Sequence, residues 1–506
     1  MVRALWGWGL ALGLATLSPP STFGQSLFAF DPLASEAALA QAAPPSQESP
    51  PGGAAIAPAA KADEPEVPTK VIRLRPTVEP KRSLRYALLP EFVDRTPGNA
   101  AVGYMRVGLL LPKPQPGQPN ADDQIMKWMD LPLKEFPVKE VQEFLDARSS
   151  ALKMITDSAR REYCDWELPV RNEPFMTILL PEVQEARSYG RLVMLQARLA
   201  VASGNFEEAI KSLQTGYALA RHVSEGPTLI NGLVGAAISA TVSERLIELI
   251  EQPGAPSLYW PLTVLPQPLI DFHRAFEMER NIIYLSYPML RNIEDQVLSV
   301  AEAQALVARV GRDIQMLGGN APAFSATAAV FALALYPSAK ASLIADGVDR
   351  DRVEAMPVAQ VLLAHTLRKF DESRDALFRT MHLPYVEAIP FVKAAEAELA
   401  EDDSLFIPLA RLLLPSLTSV QIASHRGQRT IAALRIVEAL RLHAGLTGEL
   451  PNALADVTCV PIPTDPLSGK PFVYRRTGDS AVLEAELPPG VLPQYGFRYE
   501  LQLTKE

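Results

Sequence analysis

Only two cysteines occur in 506 residues, Cys164 and Cys459. That excludes a disulfide-dense scaffold and a zinc ribbon. Histidine is scarce too, with six residues. Positive charge is not in excess: 48 Lys and Arg stand against 58 Asp and Glu, for a net charge of −10. A nucleic-acid binder working by bulk charge is excluded on that ground. There is no Gly-x-Ser-x-Gly elbow, phosphate-cradling glycine loop or dinucleotide fingerprint. What the chain does have is 48% hydrophobic and 21% charged residues, which exclude a wholly disordered chain and a polytopic membrane protein. The length suits two to four units of ordinary domain size. Of the 45 prolines, 12 fall between Pro19 and Pro80.

The N-terminus reads as an export signal. Arg3 precedes the uncharged, Leu- and Ala-rich stretch Ala4–Leu17, and Thr22 and Gly24 take the −3 and −1 positions of a cleavage site before Gln25. About 14 apolar residues fall short of the ~20 that cross a bilayer. Cleavage leaves no integral span, and an uncleaved anchor is the alternative. Residues 25–80 are expected to form a disordered tether: Leu33 to Asp63 holds 12 alanines broken by Pro44-Pro45, Pro50-Pro51 and Gly52-Gly53. Within it, Val71–Arg75 alternates enough for a short strand.

Residues 81–445 read as a helical body. Apolar spacing predicts helices from Gly98 to Leu111, Val138 to Glu162, Glu182 to Ser203, Phe206 to Arg221, Leu269 to Leu285, Ile293 to Val310, Met356 to Arg379, Pro390 to Ala400 and about Leu417 to Ala444. Two uncharged stretches, Gly226–Ser243 and Ile314–Ala339, are rich in Ala and Gly and read as buried helices, with membrane spans as the alternative. Residues 446–506 turn to strand and turn chemistry. A Pro463–Pro471 turn is followed by a hairpin of Phe472–Arg476 and Ala481–Leu487, then a closing strand over Tyr495–Leu503. The fold class is therefore mainly α: an irregular multi-helix bundle followed by a small C-terminal antiparallel β module.

Three resemblances refine this reading. The hairpin around Ser203-Gly204-Asn205 resembles a single tetratricopeptide repeat, with Ala197, Gly204, Phe206, Ala209, Leu213 and Gly216 on that repeat's positions. A large aromatic and a closing proline are missing, and such arrays need about three units. The stretches Pro97–Ala101, Tyr163–Leu168, Leu213–Gly216 through Ala220–His222, Glu225–Ile230, Leu258–Leu262 with Leu265-Pro266, and the Pro463–Tyr474 turn resemble a family of uncharacterised exported proteins of planctomycete-type bacteria. That resemblance spans about Leu84 to Leu503 and implies export, with no activity attached. The long helix, proline turn and small sheet at the C-terminus also resemble the periplasmic part of type II secretion pseudopilins. The pseudopilin polymer function does not transfer, because here the helix follows more than 400 other residues.

Candidate chemistry is thin. His273 and Glu277 lie four apart beside Glu279 and Arg280, yet a two-histidine helix motif is lacking. His365 and His382 bracket Asp371, Glu372 and Asp375, where solvated helix charge is the simpler reading. His425 and His443 are 18 residues apart and suit capping or partial burial. Cys164 beside Asp165 is a thiolate only if a cation reaches it, and burial next to Trp166 is the plainer expectation. Cys459 is expected to stay unpaired with it. Asp465 with Ser468-Gly469 offers one carboxylate, a poor set for Ca²⁺. Tyr259-Trp260 on a proline-rich connection reads as core packing, with an exposed anchor as the alternative. No residue is therefore assigned a catalytic, cofactor or metal role. The expectation is a secreted or periplasmic envelope protein acting through contact with other envelope proteins, without nucleic acid. A secreted hydrolase, metal-dependent in one version, with polar groups converging from distant helices is the alternative.

Overall fold

The computed structural model of the protein describes residues 67–113, 120–170, 180–316, 326–401, 407–487 and 493–504. The export signal, the tether up to residue 66, most of the Pro112–Pro119 loop and part of the Ile314–Ala339 stretch lie outside those residues. Among the described residues the fold is mainly α, with sixteen α-helices and a small four-stranded sheet.

The chain enters on strand β1 (Thr69–Leu74), runs through an irregular strap, and reaches β2 (Thr96–Asn99) and helix α1 (Ala100–Leu110). Asn99 starts α1 by accepting from the Ala101 amide at 3.1 Å. Helix α2 (Ala121–Asp130) follows. The helix expected from Val138 to Glu162 is instead two, α3 (Val138–Asp146) and α4 (Ser149–Ala159), then the short strand β3 (Arg161–Tyr163). The break falls at Ala147-Arg148, where Arg148 turns back to bond the Phe144 carbonyl at 2.9 Å and cover the Phe144 ring. The kink lays α4 against α1, and strand β3 beside β2.

Helices α5 (Pro181–Ala202), α6 (Phe206–Ser224) and α7 (Leu229–Ile250) form the heart of the body. Gly204 turns the first pair at φ +71° and Asn205 caps α6 through the Glu208 amide. Thr228 and Asn231 make a reciprocal capping box at the start of α7. A Cβ on Gly235 would sit 2.6 Å from the Ala220 carbonyl, so α6 and α7 approach backbone to backbone there. The Gly226–Ser243 stretch is thus largely buried helix, and no helix among the described residues is long and apolar enough to cross a membrane. Arg198 of α5 ties the layers together. It pairs with Glu248 of α7 and donates to the carbonyls of Trp128, Met129 and Leu131, where α2 ends.

Short helices α8 (Tyr259–Thr263), α9 (His273–Arg280) and α10 (Ile282–Ser286) come next. The helix expected over Leu269–Leu285 is split at Asn281, whose amide bonds the Glu277 carbonyl. Beyond lie α11 (Val300–Met316), α12 (Ala326–Ala345), α13 (Arg350–Ala355), α14 (Val358–Phe378) and α15 (Tyr385–Glu401), which with α10 gather a second apolar core around Leu343, Val361 and Leu367. The long helix α16 (Ile407–Thr447) returns to pack on α7.

The sheet corrects two expectations. Strands β4 (Val473–Thr477), β5 (Ser480–Glu484) and β6 (Arg498–Leu503) form the expected antiparallel run, turning at Gly478 with φ +65°. A fourth strand, β1, adds parallel to β6 from Thr69↔Arg498 to Leu74↔Leu503, so the sheet is mixed and 446–506 does not complete it alone. The strand read at Val71–Arg75 is real, and the tether cannot extend to residue 80. The cause is alternation: Ile72 and Leu74 join Leu501 and Leu503 in the same core as α5–α7, while Lys70 and the Arg73 amide bond Glu244 and Glu251 of α7. After β1 the chain crosses α16 at Gly445, where a Cβ would lie 1.9 Å from the Thr77 carbonyl oxygen. Arg441 fixes that crossing, bonding the Arg75 and Ala255 carbonyls and its neighbour Glu438.

Candidate functional site

Between the strap and α8 lies an open groove of about 290 Å³. One wall is the strap itself, Leu84 to Arg95; the other is Pro261, Val264, Leu265 and Pro266. Gln214 of α6 holds the strap in place by donating to the Ala87 and Leu89 carbonyls at 3.1 and 3.2 Å, and Leu88 is driven into the core. Trp260 braces the opposite side, donating to Glu79 at 2.8 Å. Tyr259 is fully buried against the α16 face, its hydroxyl meeting the Pro461 carbonyl and Arg435. The Tyr259-Trp260 pair therefore divides its work: Tyr259 packs the core as expected, while Trp260 sits half-buried near the groove.

The rim of this groove is apolar and exposed. Of the lining residues, Leu84 is 60% exposed and Val264 66%. Two cations, Arg95 and Arg221, face it beside Glu91.

Behind Arg221 is a buried aromatic and polar cluster. The Tyr104 hydroxyl meets His222 Nδ1 at 2.9 Å, and Trp166 Nε1 donates to the His222 carbonyl at 2.9 Å. The Tyr104 and Trp166 rings stack at 5.9 Å. Asn99 exchanges bonds with both backbone groups of Asp165, and Glu225 accepts from the Cys164 amide. Burial, reinforced by Arg221 and Arg95, lowers His222 to about 4, leaving it neutral. Burial and the nearby Glu225 push the Cys164 thiol far up, so it is no thiolate nucleophile. Cys164 and Cys459 are both free. The cluster ties the last turn of α6, through His222, to Tyr104 and Trp166.

The other candidates are placed as follows. His273 bonds Asp271 and lies 5.6 Å, ring to ring, from His382, both on the surface. Glu277 contributes its carbonyl to Asn281. Asp371 accepts from Tyr284 and Arg374, Asp375 pairs with Arg374 and Arg280, and Glu372 pairs with Lys369. His365 sits on α14. His425 meets the Tyr385 ring edge to face, and burial with Arg429 nearby lowers it to about 4; His443 gives its carbonyl to Thr447. Asp465 is engaged by Arg429 and by its own turn. Among the described residues, no three His, Cys, Asp or Glu side chains gather closely enough to hold a metal ion. The sequence reading passed over Leu84, Arg95, Arg221 and His222 as site residues. The stretches Ala220–His222, Tyr259-Trp260 and Leu265-Pro266 were its pointers to this place.

No family model, no curated protein and no solved structure matches this chain.

Proposed function

We propose that the protein is exported to the cell envelope and acts there by protein–protein contact, the groove beside Val264 receiving an apolar segment of another envelope protein. The observation that carries this is the combination of an apolar groove with Leu84 and Val264 of its lining exposed. Contiguous exposed apolar surface costs solubility and marks interaction sites. A space of about 290 Å³ suits one or two large side chains and lies at the low end for small-molecule sites. The polar cluster behind the groove supports binding over catalysis, since its imidazole is neutral and engaged and its thiol is protonated. Export rests on the Arg3, Ala4–Leu17 and Thr22/Gly24 arrangement and on the resemblance to exported planctomycete-type proteins.

The test is in-cell photo-crosslinking, with p-benzoylphenylalanine in place of Val264 in the native host. A discrete adduct to one envelope protein, lost on adding Leu84→Asp, is the expected result. Adducts unchanged by Leu84→Asp, or none above background, would overturn the reading.

A further inference from the structure

The chain carries its own candidate for this groove. The 42 residues from Gln25 to Glu66 contain just two aromatics, Phe28 and Phe30, set in Leu27-Phe28-Ala29-Phe30-Asp31-Pro32-Leu33. The following 33 residues, 34 to 66, are dominated by Ala, Pro, Ser and Gly and offer no comparable cluster. We infer that in the free protein Leu27–Leu33 occupies the groove of the same chain, its phenylalanines against Leu84 and Val264 and Asp31 toward Arg95 and Arg221. The inference rests on the groove being a docking surface.

Three observations carry it. Chemistry matches: the large apolar side chains of Leu27, Phe28, Phe30 and Leu33 meet a groove whose lining exposes Leu84 and Val264. Charge matches locally, Asp31 being set against a lining that holds Arg95 and Arg221 and the single carboxylate of Glu91. Reach is sufficient: 33 residues can span roughly 100 Å at full extension. Val67 and Leu84 are joined by only 17 residues, so they lie within about 60 Å of each other. Tethering also favours the match, because a short linker presents its own segment at an effective concentration near the millimolar range. A partner segment then has to displace it, which sets a threshold for engagement.

The experiment uses the purified full exported chain with p-benzoylphenylalanine in place of Val264, irradiated at low micromolar concentration and mapped by mass spectrometry. The expected product has the mass of one chain, joins position 264 to the peptide holding residues 27–33, and falls at least tenfold with Phe28→Asp/Phe30→Asp. In the native host, the same double substitution should raise the adduct to the envelope partner severalfold. A product joining 264 to 27–33 only at the mass of two chains would overturn the inference in favour of exchange between copies. No 27–33 product, alongside a partner adduct in the host that Leu84→Asp abolishes, would overturn self-docking while the groove remains a docking site. A 27–33 product without any partner adduct would leave self-docking standing and remove the proposed function instead.

Discussion

Arg429 of α16 grips Asp465 of the proline turn at two points, Nε to Oδ1 at 2.8 Å and Nη2 to Oδ2 at 2.7 Å, both side chains almost wholly buried. Asp465 also accepts from the amides of Leu467 and Ser468 and from the Ser468 hydroxyl. Burial alone would raise this carboxyl; the bonds from Arg429 and Ser468 outweigh it and hold it below the usual range. Removing one partner strands a buried charge. Arg429→Met is therefore expected to cost about 3–5 kcal/mol in urea unfolding. A loss under about 1 kcal/mol would show that the turn is held by something else.

Glu279 of α9 is a buried carboxyl whose Oε2 has no hydrogen-bond partner among the described residues. Burial raises it from 4.5 to about 7. Because the folded chain holds a proton that the unfolded chain has released, stability is greatest below pH 4.5 on this account and falls as pH rises to 7. The full loss is about 3 kcal/mol. Glu279→Gln should stabilise the protein at pH 8 by a comparable amount and leave it unchanged at pH 4.5. Equal effects at both pH values would remove titration as the cause.

His222 titrates with the opposite sign. Its folded value near 4 lies below the ordinary 6.5, so its contribution is whole above pH 6.5 and lost as pH falls toward 4. Tyr104→Phe takes away its ring partner and should cost about 1–3 kcal/mol at pH 7. Chemical denaturation at pH 7 and pH 5 measures both effects. A Tyr104→Phe protein as stable as the parent at pH 7 would show that the bond contributes nothing.

The crossing of the strap over α16 has a single steric requirement. Gly445→Ala places a methyl 1.9 Å from the Thr77 oxygen and should destabilise by about 1–3 kcal/mol. Limited proteolysis of the parent should leave a core that still contains Thr69–Leu74, since β1 is paired along its length with β6. In the Gly445→Ala protein cleavage should reach into residues 69–80. Cleavage of the parent within Thr69–Leu74 under native conditions would contradict the placement of β1.

Much of this was legible in the sequence, unevenly. Helices whose faces repeat cleanly, such as α5 and α6, were readable because Gly204 and Asn205 punctuate them. The break at Arg148 was not, because it depends on Arg148 covering Phe144, and local periodicity continues through it. The strand Val71–Arg75 was visible as alternation, but its partner β6 lies more than 400 residues away, and no local pattern encodes such a pairing. The groove was almost invisible. Its walls come from 84–95 and 261–266, one of its two cations, Arg221, from a third element, and none of these residue types is distinctive alone. The titratable residues that sequence spacing did draw attention to, Asp371, Asp375 and Asp465, proved to be paired with arginines.

The surface beside Val264 is proposed as the place where this protein meets others. Affinity purification from the native envelope tests it directly, comparing the parent with Leu84→Asp/Val264→Asp and with Leu109→Asp, a control on the exposed face of α1. All three positions are exposed, so thermal stability should stay within about 0.5 kcal/mol of the parent's. The account predicts that the double variant loses at least nine-tenths of the partner recovered by the parent, and that Leu109→Asp retains it. Equal recovery from the parent and the double variant would contradict it.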